Sequence, residues 1–162
     1  MSRHNGAMKK LSLAVLSIVL LGSLPAFAAE TPETYKAAAE PICKKNKTAE
    51  EKLKGAEAKV KAGKLDAASK LFSAAAKALK RTRAQLLLIP KPPADAARLT
   101  KWLGYVKTEV QLFEAVARKL AKGEANAANR MVVRLINNAK LANNQVLDYE
   151  FRYCRFEPEK FV

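Results

Sequence analysis

The stretch LTKWLGYVKTEVQLFEAVARKL, residues 99–120, carries the most regular apolar pattern in this chain of 162 residues. Its apolar positions alternate at spacings of four and three: Leu99, Leu103, Val106, Val110, Phe113, Ala117 and Leu120. Such spacing places these side chains on one stripe of an α-helix, as packing between antiparallel helices requires. The stretch therefore predicts a long amphipathic helix with one face in a protein core.

Three other segments repeat this pattern, so the sequence predicts four helices, A to D, over residues 32–62, 64–88, 94–122 and 124–152. Gly63 and Gly123 follow helices A and C, and glycine ends helices readily. The IPKPP sequence at 89–93 separates B from C. Two helical hairpins predict an all-α fold, an up-down-up-down four-helix bundle in one domain. Duplication and chance likeness of alanine-rich helices both explain the similar sequences around the two glycines.

Residues 1–28 have the pattern of a signal peptide. Arg3, Lys9 and Lys10 precede an apolar run at 11–21, and the sequence AFA at 26–28 fits the small-x-small cleavage rule. The competing interpretation, an uncleaved membrane anchor, is disfavoured because the apolar run is short for a bilayer span. We expect a secreted protein, cleaved after Ala28, whose mature part is residues 29–162 and has no transmembrane segment.

Both cysteines, Cys43 and Cys154, lie in the mature part. An even number of cysteines in a secreted chain predicts a disulfide, intramolecular unless dimers form. Metal binding is the competing interpretation, but neither cysteine has another cysteine or a histidine nearby, and His4 leaves with the signal peptide. We therefore predict a Cys43–Cys154 bond and no metal site.

Helix lengths constrain how these cysteines meet. Cys43 lies about 30 Å of helix before Gly63, whereas Cys154 would lie about 46 Å beyond Gly123 if all that segment were helical. We therefore expect the chain to leave regular helix near residues 149–153. The tail, residues 149–162, would then cover the end of the bundle with the rings of Tyr149, Phe151, Tyr153, Phe156 and Phe161. A structural plug and an aromatic ligand pocket are both compatible with this arrangement.

Catalytic patterns are missing from the sequence. Without a histidine after residue 28 the mature chain has no Ser-His or Cys-His pair, and it contains neither a glycine-rich phosphate loop nor a G-x-S-x-G turn. We expect a non-enzymatic protein without a cofactor.

A strong positive charge is the main functional signal. The net charge is +15, and removal of the three basic residues of the signal peptide lowers it to +12. The candidate anion-binding residues lie on helix B: Lys70, Lys77, Lys80, Arg81 and Arg83. An anionic envelope polymer or another envelope protein would suit such a face. A solvated face of a basic protein is the competing interpretation, and no motif for reading a nucleic-acid sequence accompanies it.

Helix D contains several asparagines, which are poor helix formers. Asn137 and Asn144, seven residues apart, share a face beside the apolar stripe. They would either fix the register of the helices by hydrogen bonds or line a small polar pocket. A pocket between helix D and the tail gives the alternative function, a small-ligand carrier.

The segments KPPADAARLTKWLGYVKTE, NAKLANNQVLDYEF and FRYCRFEPEKF together resemble a group of bacterial secreted proteins of unknown function. These proteins combine a signal peptide, an early cysteine, a KWLGY helix and a terminal F-x-Y-C-x-F-x-P motif. The resemblance implies a bacterial exported four-helix protein and implies no activity. We expect a binding or structural module at the cell envelope.

Overall fold

The computed structural model describes residues 30–158, apart from the side chains of residues 48–50 and 52. This part of the chain is all-helical and contains no strand, which confirms the all-α prediction. Its five α-helices are α1 (Pro32–Glu51), α2 (Ala56–Lys61), α3 (Leu65–Leu86), α4 (Ala96–Ala121) and α5 (Ala125–Asn144). Short 3-10 turns cover Lys52–Gly55, Pro93–Asp95 and Leu147–Tyr149. The predicted signal peptide lies outside the described residues.

The predicted helix A is divided into two helices. A 3-10 turn at Lys52–Gly55 separates α1 from α2, so the described chain has five α-helices where the sequence predicted four. Pro41 lies inside α1 without ending it. At the start of α1, Thr31 and Thr34 exchange side-chain-to-backbone hydrogen bonds of 3.0 and 3.3 Å, which satisfy amide groups that the helix leaves unpaired.

The two glycine corners have the same geometry. Gly63 and Gly123 have φ of 70° and 75°, a left-handed conformation that glycine adopts without a side-chain clash. After α2, the amide of Lys64 donates to the carbonyl of Lys59 at 2.8 Å, and after α4 the amide of Glu124 donates to that of Lys119 at 2.9 Å. Both corners are Schellman motifs, and they reverse the chain as the sequence predicted.

Helix α4 lies at the centre of the fold, because α3 and α5 both pack on it while α1 packs on α3. All seven residues of the apolar stripe at 99–120 are buried. The side chain of Ser69 donates to the carbonyl of Ala117 at 2.8 Å, and that of Arg83 donates to the carbonyl of Leu103 at 2.9 Å. Residue numbers rise on α3 as they fall on α4, so these two helices are antiparallel.

Helix α5 ends at Asn144, eight residues before the predicted end of helix D. A 3-10 turn follows, and Glu150 takes a left-handed conformation with φ of 48°, which turns the chain back toward α1. Cys154 thereby bonds to Cys43, with 5.0 Å between their α-carbons. The helix ends earlier than expected because a straight continuation would carry Cys154 beyond the reach of α1.

Reduction of the Cys43–Cys154 bond is expected to lower the free energy of unfolding by about 4–5 kcal/mol, because the unfolded chain then regains the freedom of a very long loop. The bond joins residues 111 positions apart. Urea unfolding with and without dithiothreitol measures the difference. A Cys43→Ala/Cys154→Ala variant is the control and should not respond to the reductant. An unchanged urea midpoint for the native chain would contradict a stabilising bond.

Candidate functional site

The tail lies between α1 and α5, and several residues of α1 contact it. The Glu40 carboxylate accepts hydrogen bonds from the backbone amides of Arg152 and Tyr153, the second at 3.0 Å. Cys43 forms the disulfide with Cys154. Lys47 donates from Nζ to the carbonyl of Arg155 at 3.0 Å. Side chains of α1 therefore bind backbone groups of the tail.

Helix α5 contacts the tail through Asn143. Its amide nitrogen donates to the carbonyl of Phe156 at 2.8 Å, and its amide oxygen accepts from the amide of Phe156 at 3.1 Å. One side chain thus satisfies both backbone groups of a buried residue. This arrangement fixes the distance of the tail from α5.

The rings of the tail pack on α4. Phe151 stacks on Trp102 with 5.7 Å between ring centroids, and Phe156 meets the ring of Phe113 edge-on at 5.6 Å. Both phenylalanines are buried, as is Tyr149. Aromatic pairs in these geometries add to the stabilisation from area burial alone. Tyr153 is partly buried, and Phe161 lies outside the described residues.

Little space remains between α5 and the tail. The cavity there has a volume of about 30 Å³, which is the volume that one water molecule occupies in the liquid. Its lining includes Cys43, Asn46 and Glu109, and Glu109 is buried although it is an acid. A ligand larger than a few atoms does not fit in this cavity.

A polar cluster joins the start of α4 to the turn after α5. Arg98 binds Asp95 at 2.7 Å and Asp148 at 2.6 Å, and the Tyr149 hydroxyl donates to Asp95 at 2.8 Å. Arg98 lowers the pKa of Asp148, whereas burial and the nearby Asp95 carboxylate raise the pKa of Tyr149. Since each group in the cluster is bonded to another member, the cluster supports the fold.

The structure places the predicted asparagine pair at the surface. Asn137 and Asn144 are both exposed. Their neighbours make the contacts expected of them: Asn138 donates to the carbonyl of Tyr105 on α4 at 3.0 Å, and Asn143 binds the tail. The side chains that fix the register are therefore Asn138, one position after Asn137, and Asn143, one position before Asn144.

The five predicted anion-binding residues on α3 have different surroundings. Lys70 forms an ion pair with Asp66 at 2.8 Å, and Arg83 is partly buried because its side chain binds the carbonyl of Leu103. Lys77, Lys80 and Arg81 are exposed. Only part of the predicted set is therefore free to meet a partner.

Two of these residues, Lys77 and Lys80, lie in a groove between α3 and α4, which we call the cationic groove. Its volume is about 460 Å³. Arg118 of α4 lines it as well, together with one acid, Glu114, which lies 3.9 Å from Arg118. The remaining lining residues are small: Ser69, Ser73, Ala76, Ala117 and Ala121. Sequence reasoning missed Arg118 because the antiparallel pairing of α3 with α4 brings it to this place.

A second groove lies between α2 and α5, which we call the apolar groove. Its volume is about 340 Å³. Phe72, Val116 and Leu120 form its buried floor, and Val132 and Ile136 of α5 line one wall. Nothing in the sequence marked this groove, because each of its residues belongs to an ordinary apolar stripe.

No group of three or more histidine, cysteine or acidic residues in the described part of the chain is placed to hold a metal ion. Between residues 30 and 158, none of the helices combines the length and the apolar character needed to cross a membrane.

Comparisons with known proteins give no match to a family model, to a curated protein or to a solved structure.

Replacement of Asn143 by alanine is expected to lower the free energy of unfolding by about 1–3 kcal/mol, because it leaves two buried backbone groups of Phe156 without partners. Asn144→Ala is the matched control, since Asn144 is the exposed neighbour on the same helix and its loss should change stability by less than about 0.5 kcal/mol. Urea unfolding of both variants measures the difference. Equal losses would contradict the role of Asn143.

The buried Tyr35 is expected to make the free energy of unfolding depend on pH in the alkaline range. Burial raises the pKa of its hydroxyl to about 12, from the ordinary value of 10.0. The unfolded chain therefore loses this proton first, so the contribution of Tyr35 is complete below about pH 10 and is lost as the pH rises from 10 to 12.

Tyr35→Phe should make the fall in unfolding free energy between pH 10 and pH 12 shallower. At pH 7 the variant should be at least as stable as the native chain, because the buried hydroxyl has no hydrogen-bond partner among the described residues. Urea unfolding across this pH range provides the measurement. Superimposable pH profiles for the two proteins would refute this role of Tyr35.

Proposed function

We propose that this protein is an exported, non-enzymatic helical-bundle protein that binds an anionic partner at the cell envelope through its cationic groove. The observation that carries the proposal is the convergence of Lys77, Lys80 and Arg118 from two helices on one groove. Lys77 and Lys80 have no ion pair within the described part of the chain. Their charges therefore remain available to a partner.

The partner that best suits this groove is a polymer with repeated phosphate, sulfate or carboxylate groups. The cationic groove is open to solvent and its floor consists of small residues. It therefore contains no enclosed site for a single small anion. Each exposed contact between charges contributes only about 1 kcal/mol or less. A polymer gains affinity by making several contacts at once and by releasing bound counterions. Polymers of this kind occur in cell envelopes, and nucleic acids carry the same repeated negative charge.

Export is part of the proposal. The pattern of residues 1–28 indicates a signal peptide cleaved after Ala28, and a disulfide between Cys43 and Cys154 suits an oxidising compartment. The resemblance of the sequence to bacterial secreted proteins favours the same location. In this proposal α1 and α2 act together as the first helix of a four-helix bundle. The small-ligand alternative is less well supported, since the cavity between α5 and the tail holds about 30 Å³.

Binding of the protein to inorganic polyphosphate, titrated at several salt concentrations, tests the proposal. We expect affinity to fall steeply with salt, and replacement of Lys77, Lys80 and Arg118 by glutamine to weaken binding by about tenfold or more at low salt. The slope of log K against log salt should also fall by about two to three, since each phosphate contact contributes about 0.7–0.9.

A second triple variant controls for net charge. Lys54, Arg130 and Lys140 are exposed and do not line the cationic groove, and their replacement by glutamine removes the same three charges. This control should bind polyphosphate within about threefold of the native chain, because distant surface charges are largely screened. Equal weakening of the two variants would show that overall charge, not the groove, governs binding. Undetectable binding by the native chain would reject polyphosphate-like partners.

A further inference from the structure

The connection between α3 and α4 carries the most exposed large apolar side chain in the described part of the chain. Leu88 is 83% exposed, and Leu87 beside it is 43% exposed. The backbone keeps turning past the last residue of α3, because the amides of Leu88 and Ile89 still donate to carbonyls three residues back. We call residues 87–89 the leucine tip. It exposes two neighbouring leucines to water at one end of the bundle.

Leu88 continues a line of cationic side chains along the outer face of α3. Lys70, Lys77 and Arg81 are all exposed, and together with Leu88 they recur at intervals of seven, four and seven residues. Such intervals place side chains within about 20° of one line on an α-helix. The line is about 27 Å long, because its ends lie eighteen positions apart. A broad, flat partner can therefore contact all four side chains at once.

The sequence of α3 and the leucine tip is free of acids beyond the first turn of the helix. Between Asp66 and Asp95 the chain contains six basic residues and no acid. Asp66 itself lies at the start of α3, where it pairs with Lys70 at 2.8 Å. Positive charge and exposed apolar surface thus adjoin each other on this element without an intervening negative charge.

Other surfaces at the same end of the bundle carry mixed charge. Asp148 binds Arg98 of α4 at 2.6 Å, so the turn after α5 lies at the end where α4 begins, as the leucine tip does. That turn also exposes a leucine, Leu147, but Asp148 and the exposed Glu150 follow it closely along the chain. The side formed by α3, rather than the whole end, is therefore the surface that complements an anionic partner.

We propose that the leucine tip and the outer face of α3 dock the protein on a bilayer that contains anionic lipids. The two leucines enter the boundary between the head groups and the acyl chains, while Lys77, Lys80 and Arg81 contact the lipid phosphates. The strength of such binding increases with the apolar area inserted and with the attraction to anionic lipids. Lys77 and Lys80 also line the cationic groove, but this inference does not depend on the proposed binding of a polymer.

A bilayer suits this surface better than a protein or a polymer does. The leucines are exposed at a helix end, so a protein partner would need a pocket of matching shape, whereas a fluid bilayer adapts to the side chains. A linear polyanion would contact the basic residues but would leave both leucines in water, where their apolar surface is unfavourable. A bilayer supplies phosphates and acyl chains in one surface.

Cosedimentation of the exported chain, without residues 1–28, with vesicles of phosphatidylcholine and phosphatidylglycerol tests the proposal. We expect binding at least tenfold tighter than to vesicles of phosphatidylcholine alone, because the basic residues are attracted to anionic lipids. Leu87→Ser/Leu88→Ser should weaken binding to the anionic vesicles by about tenfold or more, since less apolar area is inserted. Its binding to polyphosphate should stay within about twofold of the native value, because polyphosphate binding depends on charge.

The matched control is Leu141→Ser/Leu147→Ser, which removes two leucines that are exposed on α5 and on the turn after it. It should bind the anionic vesicles within about twofold of the native chain, because singly exposed leucines away from the docking surface do not enter the bilayer. Equal losses for the two leucine pairs would overturn the role of the leucine tip.

Leu88→Trp measures insertion directly. Lipids brominated on their acyl chains should strongly quench the fluorescence of the new tryptophan, whereas the native chain, whose Trp102 is buried, should be quenched little. Equal quenching of the two proteins, or no binding of the native chain to anionic vesicles, would overturn the proposal. A native chain that binds polyphosphate but not vesicles would refute this inference alone and leave the proposed function standing.

Discussion

The fold depends on the way in which the tail fills the space between α1 and α5. These two helices have no contact comparable to the packing of α4 against α3 and α5 in the described part of the chain. The tail bridges them: Glu40 and Cys43 bind it on one side, and Asn143 binds it on the other. The buried rings of Phe151 and Phe156 reach α4 through the gap. A short segment without regular structure therefore completes the core, and side chains of the flanking helices bind several of its backbone polar groups.

The basic side chains serve two different purposes. Some act as structural donors: Arg83 binds a carbonyl of α4, Lys47 binds a carbonyl of the tail, and Arg98 joins two carboxylates. Others, such as Lys77 and Lys80, make no such contact and remain exposed beside α4. A high positive charge therefore does not by itself define a binding face. The two groups differ because of which helices pack together, and the amino-acid composition does not reveal this.

Much of the fold follows from the sequence, since the apolar stripe of α4, the two glycine corners and the disulfide each have a local signal. The break between α1 and α2 has almost no local sequence signal. The apolar period continues through it, and only Gly55 lowers helix propensity there. The end of α5 was predicted too late because Val146 and Tyr149 continue the stripe, although both are buried after the helix has ended. The asparagine pair shows how sensitive such predictions are: one position along a helix turns a side chain by about 100°. The two grooves depend on which helices become neighbours, which the periodicity of single helices does not specify.

The position of the disulfide determines how much of the chain must be made before the bond can form. Cys43 belongs to the first helix and Cys154 to the segment that follows the last one, so nearly the whole domain must be present before the bond can close. The chain contains only these two cysteines, so no incorrect disulfide can form within one molecule. A molecule truncated before residue 154 would therefore keep Cys43 as an unpaired thiol.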